Sequence, residues 1–385
     1  MVTPRPWGMC PALARAKEIA MRARPSMSIV LAATALVGLA GAPASGDDAP
    51  ANGASAVQEV VPGVLLKVGD KAPALAIEEW VKGSPVSGFE KGRTYVVEFW
   101  ATWCGPCKVS IPHLTELQAK HTDKLTIIGI SSSEQNGVAD VREFVKAQGD
   151  NMAYTVAWDD AGRTNKAYME ASGSQYIPWA YIVNGDGHIA WIGSPFEGFD
   201  RALAKVLDGT WDVAKEGEKM RKADEFRARI MAAQEANDEA KMVGAAREMV
   251  EAVPEYATRE ALFVFQYDLT TVKDYDKAYA YATRLVDDIA KDDHNALNGV
   301  AWLISAEEGV ERRDLDLALR AGERAAELTK HKDAQVLDTL ARVHSEKGDH
   351  EKAIATQRKA IEVAKGSREK RSLEKNLAEL EAKKK

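Results

Sequence analysis

The sequence predicts two folds in series, an α/β domain over residues 64–210 and an all-α helical-repeat domain over residues 211–385. Three observations carry this. A short apolar strand, Tyr95-Val-Val-Glu-Phe-Trp100, leads through a turn into Cys104-Gly-Pro-Cys107 and a helix. Apolar runs of strand length then alternate with helical patterns as far as Leu207. From Trp211 onward the strand patterns stop, and Lys, Glu, Ala and Arg dominate, with apolar residues at helical spacing.

The elements follow in order. Arg15, Lys17, Arg22 and Arg24 precede an apolar run from Ile29 to Ala42, and Ala42-Pro43-Ala44 offers a small-residue cleavage site. That is the pattern of an export signal over residues 1–44. The run is short against the roughly 20 residues of a spanning helix, so an uncleaved anchor is the alternative. Cys10 falls in the removed part, which leaves Cys104 and Cys107 as the cysteines of the mature chain. Residues 45–63, with Pro50 and Gly53, read as a flexible leader. Beyond the Cys104 helix, which runs through Pro112 to Lys120, the pattern predicts a buried strand over Leu125–Ile130 and a helix over Val138–Gln148. A second strand–helix pair spans Tyr154–Trp158 and Thr164–Ala171. Asn184-Gly-Asp-Gly187 is a hairpin turn between strands at Ala180–Val183 and His188–Ile192, and Asp200–Leu207 closes the domain as a helix.

In the helical half, Trp302, Ala306, Ala318 and Ala325 align with Leu337, Ala341, Ala353 and Ala360, a period near 35. Gly348-Asp-His350 is the turn between two helices, and Glu374–Lys385 reads as a solvated capping helix. This resembles tetratricopeptide repeats, whose period is about 34, with alanines where helices pack closely. The alternative is an irregular array of helical hairpins without a binding groove.

Composition limits the function. The 385 residues carry 51 basic and 58 acidic side chains, a net charge of −7. A nucleic-acid partner is not expected without a basic footprint. No Gly-rich phosphate loop or dinucleotide fingerprint occurs, so no cofactor is expected.

The chemistry lies in the cysteine pair. A thiolate is the nucleophile in disulfide exchange, and Cys104 stands at a helix start, where unpaired backbone N–H groups favour an anion. Cys107, one turn on, can attack Cys104 and resolve a mixed disulfide. Pro106 suits a first helical turn because it has no N–H to donate. Two other readings stay open on the residues themselves. A zinc site needs about four ligands, and no second cysteine pair or paired histidine is present, so no metal is expected. A purely structural disulfide would close too short a loop to gain much entropy. Glu98, inside the strand between Val97 and Phe99, is either a poorly solvated acid that exchanges a proton with Cys107 or a solvated edge residue.

Val96-Val-Glu-Phe-Trp-Ala-Thr-Trp-Cys-Gly-Pro-Cys-Lys108 with Pro112, and Gln175-Tyr-Ile-Pro-Trp-Ala-Tyr-Ile-Val-Asn-Gly-Asp-Gly187, together resemble the thioredoxin superfamily. Within it, the chain is similar to the exported TlpA/ResA-like thiol-disulfide oxidoreductases over residues 64–210. The resemblance implies a thioredoxin fold, a central mixed sheet flanked by helices, with the second strand–helix pair as the insertion of that branch. It implies a redox-active Cys104–Cys107 disulfide, catalysis by Cys104, Cys107, Glu98 and Pro178, and a cis Ile177–Pro178 bond facing Cys104. Trp103, Gly105, Pro106, Ile177 and Trp179 are the implied substrate-binding residues, with the Ile177 backbone offered to an extended segment. The implied partners are a protein dithiol or disulfide substrate, an upstream thiol electron donor, and a protein on the helical arm.

Two positions depart from the family. Ser110 stands where many relatives carry a glutamate, and Trp179 follows the proline where a smaller residue is usual. Trp179 is either a wall of the substrate groove or a core residue. The expected function is that of an exported thiol-disulfide oxidoreductase, working as a disulfide reductase. The alternatives are a peroxiredoxin-like peroxidase, which the missing Pro-x-x-x-Thr-x-x-Cys pattern disfavours, and a non-enzymatic repeat scaffold.

Overall fold

A computed structural model describes residues 65–159 and 162–383. The export signal, its cleavage site, Cys10 and the leader lie outside the described residues. One six-stranded sheet, in the order β1-β4-β3-β2-β5-β6, forms the first half. Its strands are β1 (Glu79–Lys82), β2 (Thr94–Phe99), β3 (Leu125–Ser131), β4 (Thr155–Trp158), β5 (Trp179–Val183) and β6 (Ile189–Gly193). β2 pairs parallel with β3 and antiparallel with β5. β3 continues parallel to β4, while β1 and β6 close the two edges antiparallel. The mixed sheet and its helices are the thioredoxin-like arrangement expected from the sequence. β1 has no counterpart among the predicted strands.

Alternation of side chains across the sheet makes two cores. Tyr95, Val97 and Phe99 point to one face, where they meet Ile128, Ile130, Tyr168 and Tyr181. Val96 and Trp100 point to the other, where they meet Ile127, Val156 and Ile182. That second face is covered by α1 (Gly105–Lys120), α2 (Val138–Gln148) and, after the short helix α3 (Arg163–Asn165, continued as a π-turn over Lys166–Glu170), by α4 (Phe199–Leu207). Cys104, Cys107, Ile111 and Leu114 of the α1 region belong to this core. The cysteines therefore sit above the centre of the sheet.

The second half is all helix, in the order α5 (Val213–Glu235), α6 (Glu239–Ala252), α7 (Thr258–Tyr267), α8 (Tyr275–Arg284), α9 (His294–Ala306), α10 (Leu315–Leu328), α11 (Ala334–Glu346), α12 (His350–Val363) and α13 (Ser367–Lys383). Each of α9 to α12 packs on the helix that follows it, and α9 also packs on α11. Ala318, Ala325, Ala341, Ala353 and Ala360 are fully buried. Their missing side-chain atoms let neighbouring helices approach closely. Trp302 does not share the role of Leu337. It is 41% exposed under the Arg342 guanidinium, 5.3 Å from the ring centre, and its neighbour Leu303 is the buried residue. Among the described residues, six of these nine helices start at an aspartate whose carboxylate accepts a backbone N–H of the first turn: Asp212, Asp238, Asp274, Asp293, Asp314 and Asp333.

Candidate active site

Cys104 is the N-cap of α1, with φ −77° and ψ 105°, and Pro106 occupies the first turn. Cys104 and Cys107 form a disulfide. In this oxidised state the Cys104 sulfur stands where the thiolate of the reduced enzyme would be. The Cys107 backbone N–H points at it, 3.1 Å away. No acidic residue lies in the first turn of α1. An anion at this sulfur thus gains a hydrogen bond and the positive end of the helix dipole, and meets no opposing charge within the turn.

The loop from Gln175 to Pro178 faces the pair. The Ile177–Pro178 bond is cis, and the Ile177 carbonyl oxygen lies 3.7 Å from Cys104 Sγ. Around this point the surface is apolar. Trp103 is 59% and Tyr176 is 76% exposed, while Cys104 itself is 4% exposed. Trp103 is held by its indole N–H, which donates to the Ser133 carbonyl at 2.8 Å. Trp179 lies behind this rim, half-buried against Phe99, Tyr181 and the rest of the first core. Ser110 is buried, and its hydroxyl donates to the Cys107 carbonyl at 3.0 Å.

Glu98 is fully buried in β2, between β3 and β5, so it is not an edge residue. It shares the face of Val96 and Trp100, the face on which the cysteines pack. Burial pushes its carboxyl up to about 8, and neither oxygen has a hydrogen-bond partner among the described residues. A carboxyl in that state can take or give a proton near neutral pH.

Residues that the sequence pattern does not single out complete the site. Glu134, three residues beyond β3, accepts from the Thr102 N–H at 2.7 Å, the Thr102 hydroxyl at 2.6 Å and the Ser131 hydroxyl at 2.9 Å. It ties the loop before Cys104 to the central sheet, 32 residues away in sequence. The nearby signal is only the polar run Ser131-Ser-Ser-Glu134, which reads as a loop. At the opposite end of the strands a cavity of about 600 Å³ includes Lys82 and Arg93 in its wall. Lys82 is spent on the carbonyls of Gly149 and Met152, and Arg93 on Thr126 and three carbonyls. Among the described residues no cluster of His, Cys, Asp and Glu could hold a metal ion.

A sequence profile of the Redoxin family matches residues 67–204. Protein FixW of Rhizobium leguminosarum is 31% identical over 172 residues, spanning 43% of this chain and 77% of FixW. The chain belongs to the redoxin family. The redoxin is also 28% identical over 120 residues to sporulation thiol-disulfide oxidoreductase A of Bacillus subtilis, across 30% of this chain and 68% of that one. Thiol-disulfide oxidoreductase ResA of Bacillus thuringiensis is 27% identical over 125 residues, across 32% and 68% of the two chains. Among solved structures, StoA of Bacillus subtilis is 26% identical, covering 35% of this chain and 92% of that chain at a TM-score of 0.26. A thiol-disulfide isomerase of Corynebacterium glutamicum is 20% identical, covering 37% and 97% at a TM-score of 0.31. This redoxin is a thiol-disulfide oxidoreductase.

Proposed function

We propose that this redoxin is an exported disulfide reductase whose helical arm, read as tetratricopeptide-like, recruits the protein it acts on. The observation that carries the chemistry is the placement of Cys104 Sγ at the start of α1, on the Cys107 N–H and beside the Ile177 carbonyl. In the reduced enzyme the Cys104 thiolate attacks one sulfur of a substrate disulfide and displaces the other as a thiolate, which takes a proton from solvent. The Cys107 thiol then gives its proton to Glu98, and its thiolate attacks Cys104 Sγ. The Cys104–Cys107 bond forms, the bond from Cys104 to the substrate breaks, and the attacked substrate sulfur leaves as a thiolate that takes a proton from solvent. Two electrons pass from the cysteine pair to the substrate. An upstream thiol donor restores the pair.

Ile177 supports substrate binding through its backbone. Its N–H makes no hydrogen bond within the described residues, so an extended segment can pair there. Trp103, Tyr176 and Pro106 offer that segment an apolar floor. The basic, apolar and small-residue pattern of residues 1–44 supports export, and Gly105-Pro106 between the cysteines supports the reducing direction. Among the described residues no helix is long and apolar enough to cross a membrane.

Equilibration with glutathione buffers, followed by intrinsic tryptophan fluorescence, tests the direction. A midpoint near thioredoxin's value of about −270 mV is expected. A midpoint near the roughly −120 mV of a strong oxidant would overturn the reductase assignment.

A further inference from the structure

Four buried polar atoms with no hydrogen-bond partner among the described residues come from three side chains around Gly129. They are both carboxylate oxygens of Glu98, Trp100 Nε1 and the Tyr154 hydroxyl. Gly129 lies directly opposite Glu98 in the β2–β3 register. A side-chain carbon built there would stand 2.9 Å from Tyr154 Cε2, 3.1 Å from Trp100 Nε1 and 3.3 Å from Glu98 Oε2. The three side chains therefore converge over the one residue of β3 that leaves them room. Leaving a buried polar atom unpaired is costly, and here the chemistry is complementary: the indole N–H and the phenol O–H donate, and an ionised carboxylate accepts.

We infer that Tyr154, with Trp100, is the hydrogen-bond partner of ionised Glu98 and so sets the pH at which Glu98 takes the Cys107 proton. The inference rests on reading Glu98 as the proton acceptor for Cys107. Tyr154 is a positioning residue, acting through Glu98 without touching substrate. Ionised Glu98 receives both donors, whereas protonated Glu98 carries its own O–H and needs fewer. The pair thus favours the carboxylate against burial, which disfavours it. Among the described residues Tyr154, just before β4, is coupled electrostatically to Glu98, and the disulfide-bonded Cys104 and Cys107 pack in the same core. Lys108 of α1 lies over the Phe144 ring, 5.6 Å from its centre, and that ring in turn packs on Trp100. Burial and the nearby Glu98 charge keep the Tyr154 phenol protonated, hence a donor, throughout the working range.

The test is the titration of the Glu98 carboxyl in the full-length oxidised protein, followed by carbon-13 NMR of labelled glutamate and assigned with Glu98→Gln. In Tyr154→Phe the midpoint is expected to rise by about one pH unit, a roughly tenfold weaker acid. Trp100→Phe should shift it the same way. Tyr168→Phe, on the opposite face of the sheet, should leave it in place. A Glu98 midpoint unchanged in both Tyr154→Phe and Trp100→Phe overturns the inference. Resolution of a Cys104 mixed disulfide is measured across pH in the same variants. If the Glu98 midpoint moves and the resolution profile does not follow, the role of Glu98 falls while its pairing with Tyr154 stands.

Discussion

Glu98 is a carboxyl placed where its charge is least welcome, in a central strand, with its ordinary value of 4.5 pushed to about 8 by burial. The linkage has a definite sign. The folded chain holds a proton that the unfolded chain releases above about 4.5, so the folded state is favoured below that pH and loses stability as pH rises to about 8. At about 1.4 kcal/mol per unit, the loss is at most about 5 kcal/mol. Thermal melts should show the wild type falling relative to Glu98→Gln from pH 5 to about 8 and levelling off above it. Parallel curves for the two proteins would mean that Glu98 meets no such environment. This residue is legible in the sequence because an acid amid Val97 and Phe99 breaks an apolar strand six residues before Cys104. Glu134 and Tyr154 are not. Thr102 lies 32 positions from Glu134 and Glu98 lies 56 from Tyr154, and only the sheet order β4-β3-β2 brings them together.

At the scale of elements, strongly periodic segments are legible in the sequence, and an element without a pattern of its own is not. α1 and α2 begin and end where the apolar spacing and flanking signals place them. β1, four residues reading Glu-Trp-Val-Lys, has little pattern of its own, and its pairing to β4 makes it a strand. The period of the arm is legible through its alanines, but the register at Trp302 is off by one, since spacing cannot tell which of two adjacent apolar residues turns inward. The aspartate caps are the device that starts these helices. An N-cap aspartate replaced by alanine costs about 1 kcal/mol. Asp314→Ala, which frees the Leu317 N–H now bonded at 2.9 Å, should lower the melting of the arm accordingly. Asp349→Ala should cost less, because Asp349 caps α12 without a side-chain hydrogen bond. Equal losses at the two positions would contradict the capping account.

In the whole molecule the arm is fastened to the redox half through residues next to the expected boundary. Trp211 is buried in the core under α1 and donates its indole N–H to the Ala190 carbonyl at 2.8 Å. Val213 and Met220 of α5 pack on the same core. Arg201 of α4 lies 6.0 Å from the Trp211 ring centre and 5.0 Å from that of Tyr256, and donates to the Glu255 carbonyl. Its neighbour Asp200 accepts from His113 of α1 at 2.8 Å and raises the His113 pKa. The active-site helix and the arm therefore grip the same short helix, α4. A change of composition at residue 211 is visible in the sequence, but this interlock is not, because it depends on which faces of α4 and α5 meet. A substrate held by the arm would be presented to Cys104 at a raised effective concentration.

The most direct measurement is trapping with the full-length chain. Cys107→Ser keeps the Cys104 thiolate and its helix start but removes the resolving sulfur, so covalent adducts should accumulate and mass spectrometry should place each one on Cys104. Adducts that form with Cys104→Ser, joined through Cys107, and are absent with Cys107→Ser would contradict the assignment of Cys104 as the nucleophile.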